Sequence, residues 1–73
     1  MTKRNPLNWP IVGDEVAARV GCEYVTRVVM GVDDIHVIYQ DSRFAKDRRC
    51  SVGTWQIWCR DKKAEVIKKE KGN

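Results

Sequence analysis

The sequence predicts a mainly β fold, a small antiparallel five-stranded barrel with one short helix or 3₁₀ turn near residues 53–60. Two alternating apolar runs, YVTRVVMGV from residue 24 and IHVIYQ from residue 35, face each other across Asp33-Asp34. Both runs carry apolar side chains on both faces, which favours a curled sheet over an open one. The helix is predicted by Trp55, Trp58 and Cys59, whose i, i+3, i+4 spacing places them on one side of a helix.

The first predicted strand covers residues 15–20, EVAARV, which alternate weakly between apolar and polar side chains. It follows the turn signal Gly13-Asp14, and Gly21 ends it or makes a bulge. Pro6 and Pro10 keep the preceding residues out of a regular helix. We therefore expect residues 1–10 to form a flexible N-terminal arm and the domain to occupy residues 11–67.

The central hairpin is predicted in more detail than any other part of the chain. One face of the second strand carries Val25, Arg27 and Val29, and the other carries Tyr24, Thr26, Val28 and Met30. Gly31 permits a bulge beside the turn, and the two aspartates tolerate a tight connection. One face of the third strand carries Ile35, Val37 and Tyr39, and the other carries His36, Ile38 and Gln40.

The rest of the chain is predicted from shorter signals. Residues 41–49, DSRFAKDRR, are mostly polar and indicate a loop or distorted hairpin before a short fourth strand at about residues 49–52. Ser51 or Thr54 can serve as the N-cap of the helix. Residues 64–67, AEVI, are the predicted closing strand, and residues 68–73 are a basic disordered tail.

Length and cysteine content restrict the class of protein. A chain of 73 residues has room for one domain, which buries only about 60% of its unfolded surface, so its large side chains must supply most of the stability. Three cysteines, an odd number, and an N-terminal segment without an apolar core favour a reducing, cytoplasmic compartment. No apolar run approaches the ~20 residues that span a bilayer, so we expect no membrane insertion.

Charge is distributed unevenly along the chain. Residues 1–42 carry four Lys or Arg and six Asp or Glu, whereas residues 43–73 carry ten and four. The basic half favours an anionic partner, because Lys and Arg neutralise phosphates with release of counterions. We therefore predict a non-catalytic module that contacts DNA or RNA. The candidate nucleic-acid-binding residues are Arg43, Lys46, Arg48, Arg49, Lys62 and Lys63.

Aromatic side chains support the same prediction and also an alternative. Phe44 and Tyr39 lie near the basic residues and could stack on unpaired bases if they are exposed. Small barrels also hold peptides in aromatic-lined grooves, which makes Tyr39, Phe44 and Trp55 candidate anchors for a host or phage partner protein. An exposed edge strand could instead pair with a second copy, giving a homodimer. Trp55 and Trp58, at helical spacing, are also candidates for the core.

The sequence predicts no catalytic residues, no cofactor and no metal site. Cys22, Cys50 and Cys59 are separated by 27 and 8 residues, far from the C-x₂₋₄-C pairs of structural zinc sites. Nucleophilic catalysis needs a base beside the nucleophile, and the one histidine, His36, lies within a strand pattern. We therefore expect a binding protein and not an enzyme.

The order of motifs along the chain resembles two known groups of proteins. The Gly13-Asp14-x-Val16 start, the central hairpin, the short helical turn and the last strand together resemble the Src-homology-3-type small barrels, in the broad sense that includes Tudor and KOW-like domains. Residues 12–67 also resemble short phage and prophage proteins of unassigned role, which share that start and segments like residues 50–60, CSVGTWQIWCR, and 63–66, KAEV. The second resemblance implies a phage accessory protein and supplies no active-site residues.

Overall fold

A computed structural model describes residues 4–70 of the chain. The elements are β1 (Glu15–Val20), β2 (Glu23–Val32), β3 (His36–Asp41), β4 (Arg48–Ser51), α1 (Val52–Asp61) and β5 (Glu65–Lys68). All strand pairs are antiparallel and belong to one sheet with the order β4-β3-β2-β1-β5. The predicted five antiparallel strands and short helix are therefore confirmed. The sheet is not closed, because β4 and β5 are its two edges, so the predicted barrel is not confirmed.

Two tight hairpins build the centre of the sheet. The β1–β2 turn consists of Gly21 and Cys22, and Gly21 has a φ of 66°, a left-handed conformation that glycine adopts without a Cβ clash. In the β2–β3 turn, Asp33 Oδ1 accepts hydrogen bonds from the N–H groups of Ile35 and His36 at 2.9 and 2.7 Å. The turn at Asp33-Asp34 is thus confirmed, and its carboxylate explains why an aspartate starts it.

The register of β2 and β3 places the predicted apolar faces against the helix. The pairing runs Arg27 with Asp41 and Val29 with Tyr39, then shifts by a bulge before Gly31. Val25, Val29 and Val37 are each at most 1% exposed, whereas the opposite face of β2 ends in exposed Tyr24 and Met30. The assignment of the two faces from the period-2 pattern is therefore confirmed.

The helix α1 closes the core over β3 and β4. Ser51 is its N-cap, and the Ser51 Oγ accepts a hydrogen bond from the N–H of Thr54 at 3.0 Å. Trp55 is completely buried, and its ring meets Tyr39 edge to face with a centroid distance of 5.6 Å. Cys59 lies one turn further on and is also buried. The predicted helical stripe therefore forms the centre of the core.

Residues 4–10, which the sequence analysis assigned to an arm, contact the folded domain. Pro6 is buried, and its carbonyl oxygen accepts a hydrogen bond from the Trp55 Nε1–H at 3.1 Å. The carbonyl oxygen of Asn8 accepts another from the side-chain amide of Gln56 at 2.7 Å. These bonds tie the start of the described chain to the helix. Residues 1–3 and 71–73 of the predicted arm and tail lie outside the described range.

Asp14 joins the two ends of the described chain. Its buried carboxylate pairs with the guanidinium of Arg4 and accepts hydrogen bonds from the N–H groups of Ile11 at 2.8 Å and Glu70 at 2.7 Å. Burial alone would raise the pKa of Asp14, but these hydrogen bonds outweigh it and lower that pKa. Lys68 ends β5, so the predicted tail begins within an ordered strand.

We predict that Trp55→Ala lowers the free energy of unfolding by about 3–5 kcal/mol, because it removes a completely buried ring and leaves a cavity beside Tyr39. The matched control is Ile57→Ala on the same helix, where the side chain is 52% exposed and the expected change is within about 0.5 kcal/mol. Chemical denaturation followed by tryptophan fluorescence measures both. Equal stability of Trp55→Ala and the native protein would contradict this packing.

Candidate nucleic-acid interface

A buried arginine lies at the centre of the candidate site. Arg27 faces the core from the middle of β2 and is only 7% exposed. Its guanidinium carbon lies 3.7 Å from the ring centroid of Trp58 and 4.4 Å from that of Tyr39, so the cation is held between two aromatic rings. A delocalised, weakly hydrated guanidinium suits such a position better than an ammonium group does.

Asp41 balances the charge of Arg27. It is paired with Arg27 in the β2–β3 register, is 1% exposed, and accepts a hydrogen bond from Arg27 Nε at 3.0 Å. Arg43 donates to the same carboxylate from Nε at 3.0 Å, from a terminal nitrogen at 2.9 Å and from its backbone N–H at 2.9 Å. Asp41 therefore holds two arginines, one buried and one partly exposed.

The protonation equilibrium of Asp41 reflects these bonds. Burial alone would raise its pKa, but the side-chain and backbone hydrogen bonds of Arg43 and the hydrogen bond of Arg27 lower it to about 2. The same carboxylate raises the pKa of Arg43. Both carboxylate oxygens of Asp41 accept hydrogen bonds, so the buried negative charge is satisfied within the core.

Next to this buried pair lies an exposed surface that we call the Phe44 patch, formed by Arg43, Phe44, Lys46 and Arg48. Phe44 is 44% exposed. The guanidinium carbons of Arg48 and Arg43 lie 4.4 and 5.3 Å from its ring centroid. Lys46 is exposed in the loop between β3 and β4. The patch thus combines one accessible aromatic ring with three cations.

The structure separates the other predicted basic residues from this patch. Arg49 is paired with Ile38, on the sheet face opposite to Arg48. Lys62 and Lys63 follow α1 and line a cleft with Arg19 and Tyr24, beside β1 and β5. The six predicted cations therefore form two groups and one residue on the reverse face, and not one continuous surface.

Two of the three candidate aromatic anchors lie in the core. Tyr39 is 5% exposed and Trp55 is 0% exposed, because they pack against each other between β3 and α1. Such side chains have no free face for a base or a peptide. Phe44 differs because it lies in the loop after β3 and is 44% exposed, so it is the candidate anchor that remains accessible.

Sequence reasoning missed Arg27 and Asp41 as the organising pair. A signal was present, since Arg27 shares its face with Val25 and Val29, so the period-2 pattern already required a buried partner for its charge. Asp41 lies two residues after Tyr39 and so continues that buried face of β3. The polar run from residue 41 concealed this, because it is typical of a loop.

Burial makes two of the three cysteines unreactive. Burial raises the pKa of Cys59 to about 12 and also raises that of Cys50, so both thiols stay protonated near neutral pH and are poor nucleophiles. Within residues 4–70, no three His, Cys, Asp or Glu side chains come together as metal ligands. Nor does this part of the chain contain a helix of the length and apolarity required to cross a membrane.

No known protein family, curated protein or solved structure matches this chain. The Phe44 patch and the buried pair beneath it are therefore interpreted from their own geometry.

We predict that the stabilisation provided by Asp41 disappears in acid. Its pKa in the folded protein, about 2, is below the value of about 3.9 expected in the unfolded chain. The resulting contribution, about 2 kcal/mol, is present above the unfolded pKa and is lost as the pH falls from about 4 to about 2. Asp41→Asn should therefore be less stable than the native protein near neutral pH, and the difference should shrink at about pH 2.

Denaturant unfolding of both proteins across this pH range measures the effect. Asp14, whose pKa is also lowered, is unchanged in both proteins, so the comparison isolates Asp41. A stability difference that does not vary with pH would show that the Asp41 carboxylate is not preferentially stabilised in the folded protein.

Proposed function

We propose that the protein is a non-catalytic binding module that contacts DNA or RNA through the Phe44 patch. The observation that carries this proposal is the exposed Phe44 ring with the guanidiniums of Arg43 and Arg48 beside it. Nucleic acids offer flat bases and regularly spaced phosphates. An exposed ring among cations is complementary to both, since a base can replace a guanidinium on the ring while the cations contact the backbone.

The anchoring of the patch supports the proposal. Arg43 is held through three hydrogen bonds to Asp41, and Arg48 belongs to a strand, so neither cation depends on a freely moving loop. A binding group that is already ordered loses less conformational entropy when it engages its ligand. Because a base must reach the ring face, single-stranded nucleic acid or an unpaired loop fits the patch better than a regular duplex.

The finer identity belongs to the same proposal. The sequence resemblance supports a Src-homology-3-like domain and a cytoplasmic phage or prophage accessory protein, through Gly13-Asp14-x-Val16 and the segment of residues 50–60. A sheet of five antiparallel strands with a short helix before the last strand is compatible with that identity. The raised pKa values of Cys50 and Cys59 support a role without covalent catalysis.

A protein partner is the second candidate function, and the two sheet edges favour it. All four residues of β5 are exposed, including Val66 and Ile67, and β4 is likewise an edge strand. Edge strands present unpaired backbone groups that can pair with an extended peptide or with a second copy of the chain. A host protein or a homodimer partner would use these edges and not the buried Tyr39 and Trp55.

We predict that single-stranded oligonucleotides bind with an affinity that falls as the salt concentration rises. Arg48→Gln should weaken binding and reduce the magnitude of the slope of log K against log salt by about 0.7, the value for one phosphate contact on a single strand. Phe44→Leu should weaken binding by about 5- to 150-fold with the slope unchanged, because it removes a stacking contact and no charge. Fluorescence anisotropy with labelled oligonucleotides measures both quantities.

The matched control is Lys69→Gln, which removes one exposed positive charge outside the patch and should leave affinity close to the native value. Absence of binding at low salt, binding indifferent to salt, or an equal loss in the control and Arg48→Gln would each contradict the proposal. A partner protein that is retained after nuclease treatment, and retained equally by Phe44→Leu, would favour the edge-strand function instead.

A further inference from the structure

A second cationic site lies beside β1 and β5, away from the Phe44 patch. It is an open cleft of about 390 Å³. Its lining residues are Ala17, Ala18, Arg19, Tyr24, Lys62, Lys63 and Glu65. The lining therefore includes three basic residues, one acidic residue and one aromatic residue. The volume lies in the range of small-ligand sites, about 300–1,000 Å³.

The β1–β2 hairpin fixes the aromatic side of this cleft. Arg19 and Tyr24 are directly paired across the two strands, just before and after the Gly21-Cys22 turn. Directly opposed side chains have Cβ atoms about 5 Å apart, so the guanidinium can reach a ligand that lies on the tyrosine. Tyr24 is 62% exposed, so most of its side chain is accessible to a ligand.

The end of the helix fixes the cationic side. Lys63 has a φ of 53° and is the one non-glycine residue of the described chain with a positive φ. The N–H of Ala64 donates to the carbonyl of Cys59 at 2.8 Å, which closes the helix in the manner that normally places glycine at this position. A lysine here has a conformational cost that glycine would avoid. The stability of the turn therefore does not explain why a lysine occupies position 63.

We propose that this cleft binds one phosphorylated nucleoside, with the base on Tyr24 and the phosphate between Arg19 and Lys63. Lys62 adds a third cation, and Glu65 is available to accept a hydrogen bond from a ribose hydroxyl or an exocyclic amine. A ring and cations together distinguish this ligand class from a simple anion. The ligand is either a free nucleotide or one unit of a strand, and the second source rests on the function proposed for the Phe44 patch.

Titration of ¹⁵N-labelled protein with adenosine 5′-monophosphate, adenosine and inorganic phosphate tests the proposal by backbone amide shifts. Adenosine 5′-monophosphate should shift the amides of residues 17–24 and 62–65 in a saturable manner, at lower concentration than adenosine or phosphate does. Tyr24→Leu and Lys63→Gln should each weaken this binding at least fivefold. Unshifted amides in the native protein would overturn the proposal. So would variants that bind adenosine 5′-monophosphate as tightly as the native protein does.

Lys63→Gly separates the binding role of the side chain from its structural role. It should raise the Tm, because glycine relieves the left-handed backbone, and should weaken nucleotide binding as Lys63→Gln does. A lower Tm together with unchanged binding would mean that Lys63 serves only the turn, and would overturn the proposal. Arg60→Gln, an exposed charge on the helix, is the control and should bind adenosine 5′-monophosphate like the native protein.

Two further arms distinguish the sources and the two sites. Phe44→Leu should leave binding of adenosine 5′-monophosphate unchanged, because Phe44 does not line the cleft. If a strand is the source, an oligonucleotide should shift the residues of both sites in one titration. If the oligonucleotide fails to bind while the mononucleotide binds, only the function proposed for the Phe44 patch is contradicted. If the oligonucleotide binds while the mononucleotide does not, only the proposal for the cleft is contradicted.

Discussion

The ion pair between Arg27 and Asp41 is the constraint on which the arrangement of the core and of the Phe44 patch depends. A guanidinium in a small core is tolerated only when its charge and its N–H groups are satisfied. Asp41, on the neighbouring strand, supplies the negative charge that balances Arg27. The rings of Tyr39 and Trp58 each contact the guanidinium. Arg27 therefore links β2 to β3 through its register partner Asp41 and links the sheet to α1 through Trp58.

The same pair connects the interior to the surface. Asp41 uses its remaining hydrogen-bonding capacity on Arg43, and Arg43 lies beside the exposed ring of Phe44. The loop after β3 is thus held by the buried carboxylate through Arg43, and Ser42 adds hydrogen bonds with the backbone of Thr26. At the other end of the molecule, Asp14 plays a comparable part by holding the chain near both termini. In a domain of this size the core is small, so these two buried carboxylates hold segments in place that a larger core would hold by packing.

The sequence was most informative where structure is decided by neighbours along the chain. The turn at Asp33, the two faces of β2 and the cap at Ser51 follow from period-2 alternation and from local side-chain hydrogen bonds, so each could be predicted. Asp41 was missed although it continues the buried face of β3, because its polar surroundings are typical of a loop and its buried partner is fourteen residues away. Burial of Tyr39 and Trp55 is likewise set by packing between distant elements. The contact of Pro6 with Trp55 joins residues 49 positions apart and leaves no local signal.

The grouping of the basic residues also depends on contacts between distant elements, so the sequence alone could not predict it. Basic residues are visible in any sequence, but their grouping depends on strand alternation and on which edge each element occupies. Arg48 and Arg49 are neighbours in sequence and lie on opposite faces of β4, whereas Lys63 shares a cleft with Arg19 from the first strand. Charge counting therefore predicts an anionic partner as a class, and the fold was needed to divide the cations into surfaces.

A double-mutant cycle on Arg27→Met and Asp41→Asn tests the central claim most directly. The free energies of unfolding of the native protein, both single variants and the double variant give the coupling between the two side chains. A charged hydrogen bond in this core should give a coupling of about 1.5–3 kcal/mol, with the double variant more stable than the sum of the single losses implies. Losses that add within about 0.5 kcal/mol would show that the two residues act independently, and that the buried pair does not organise the fold.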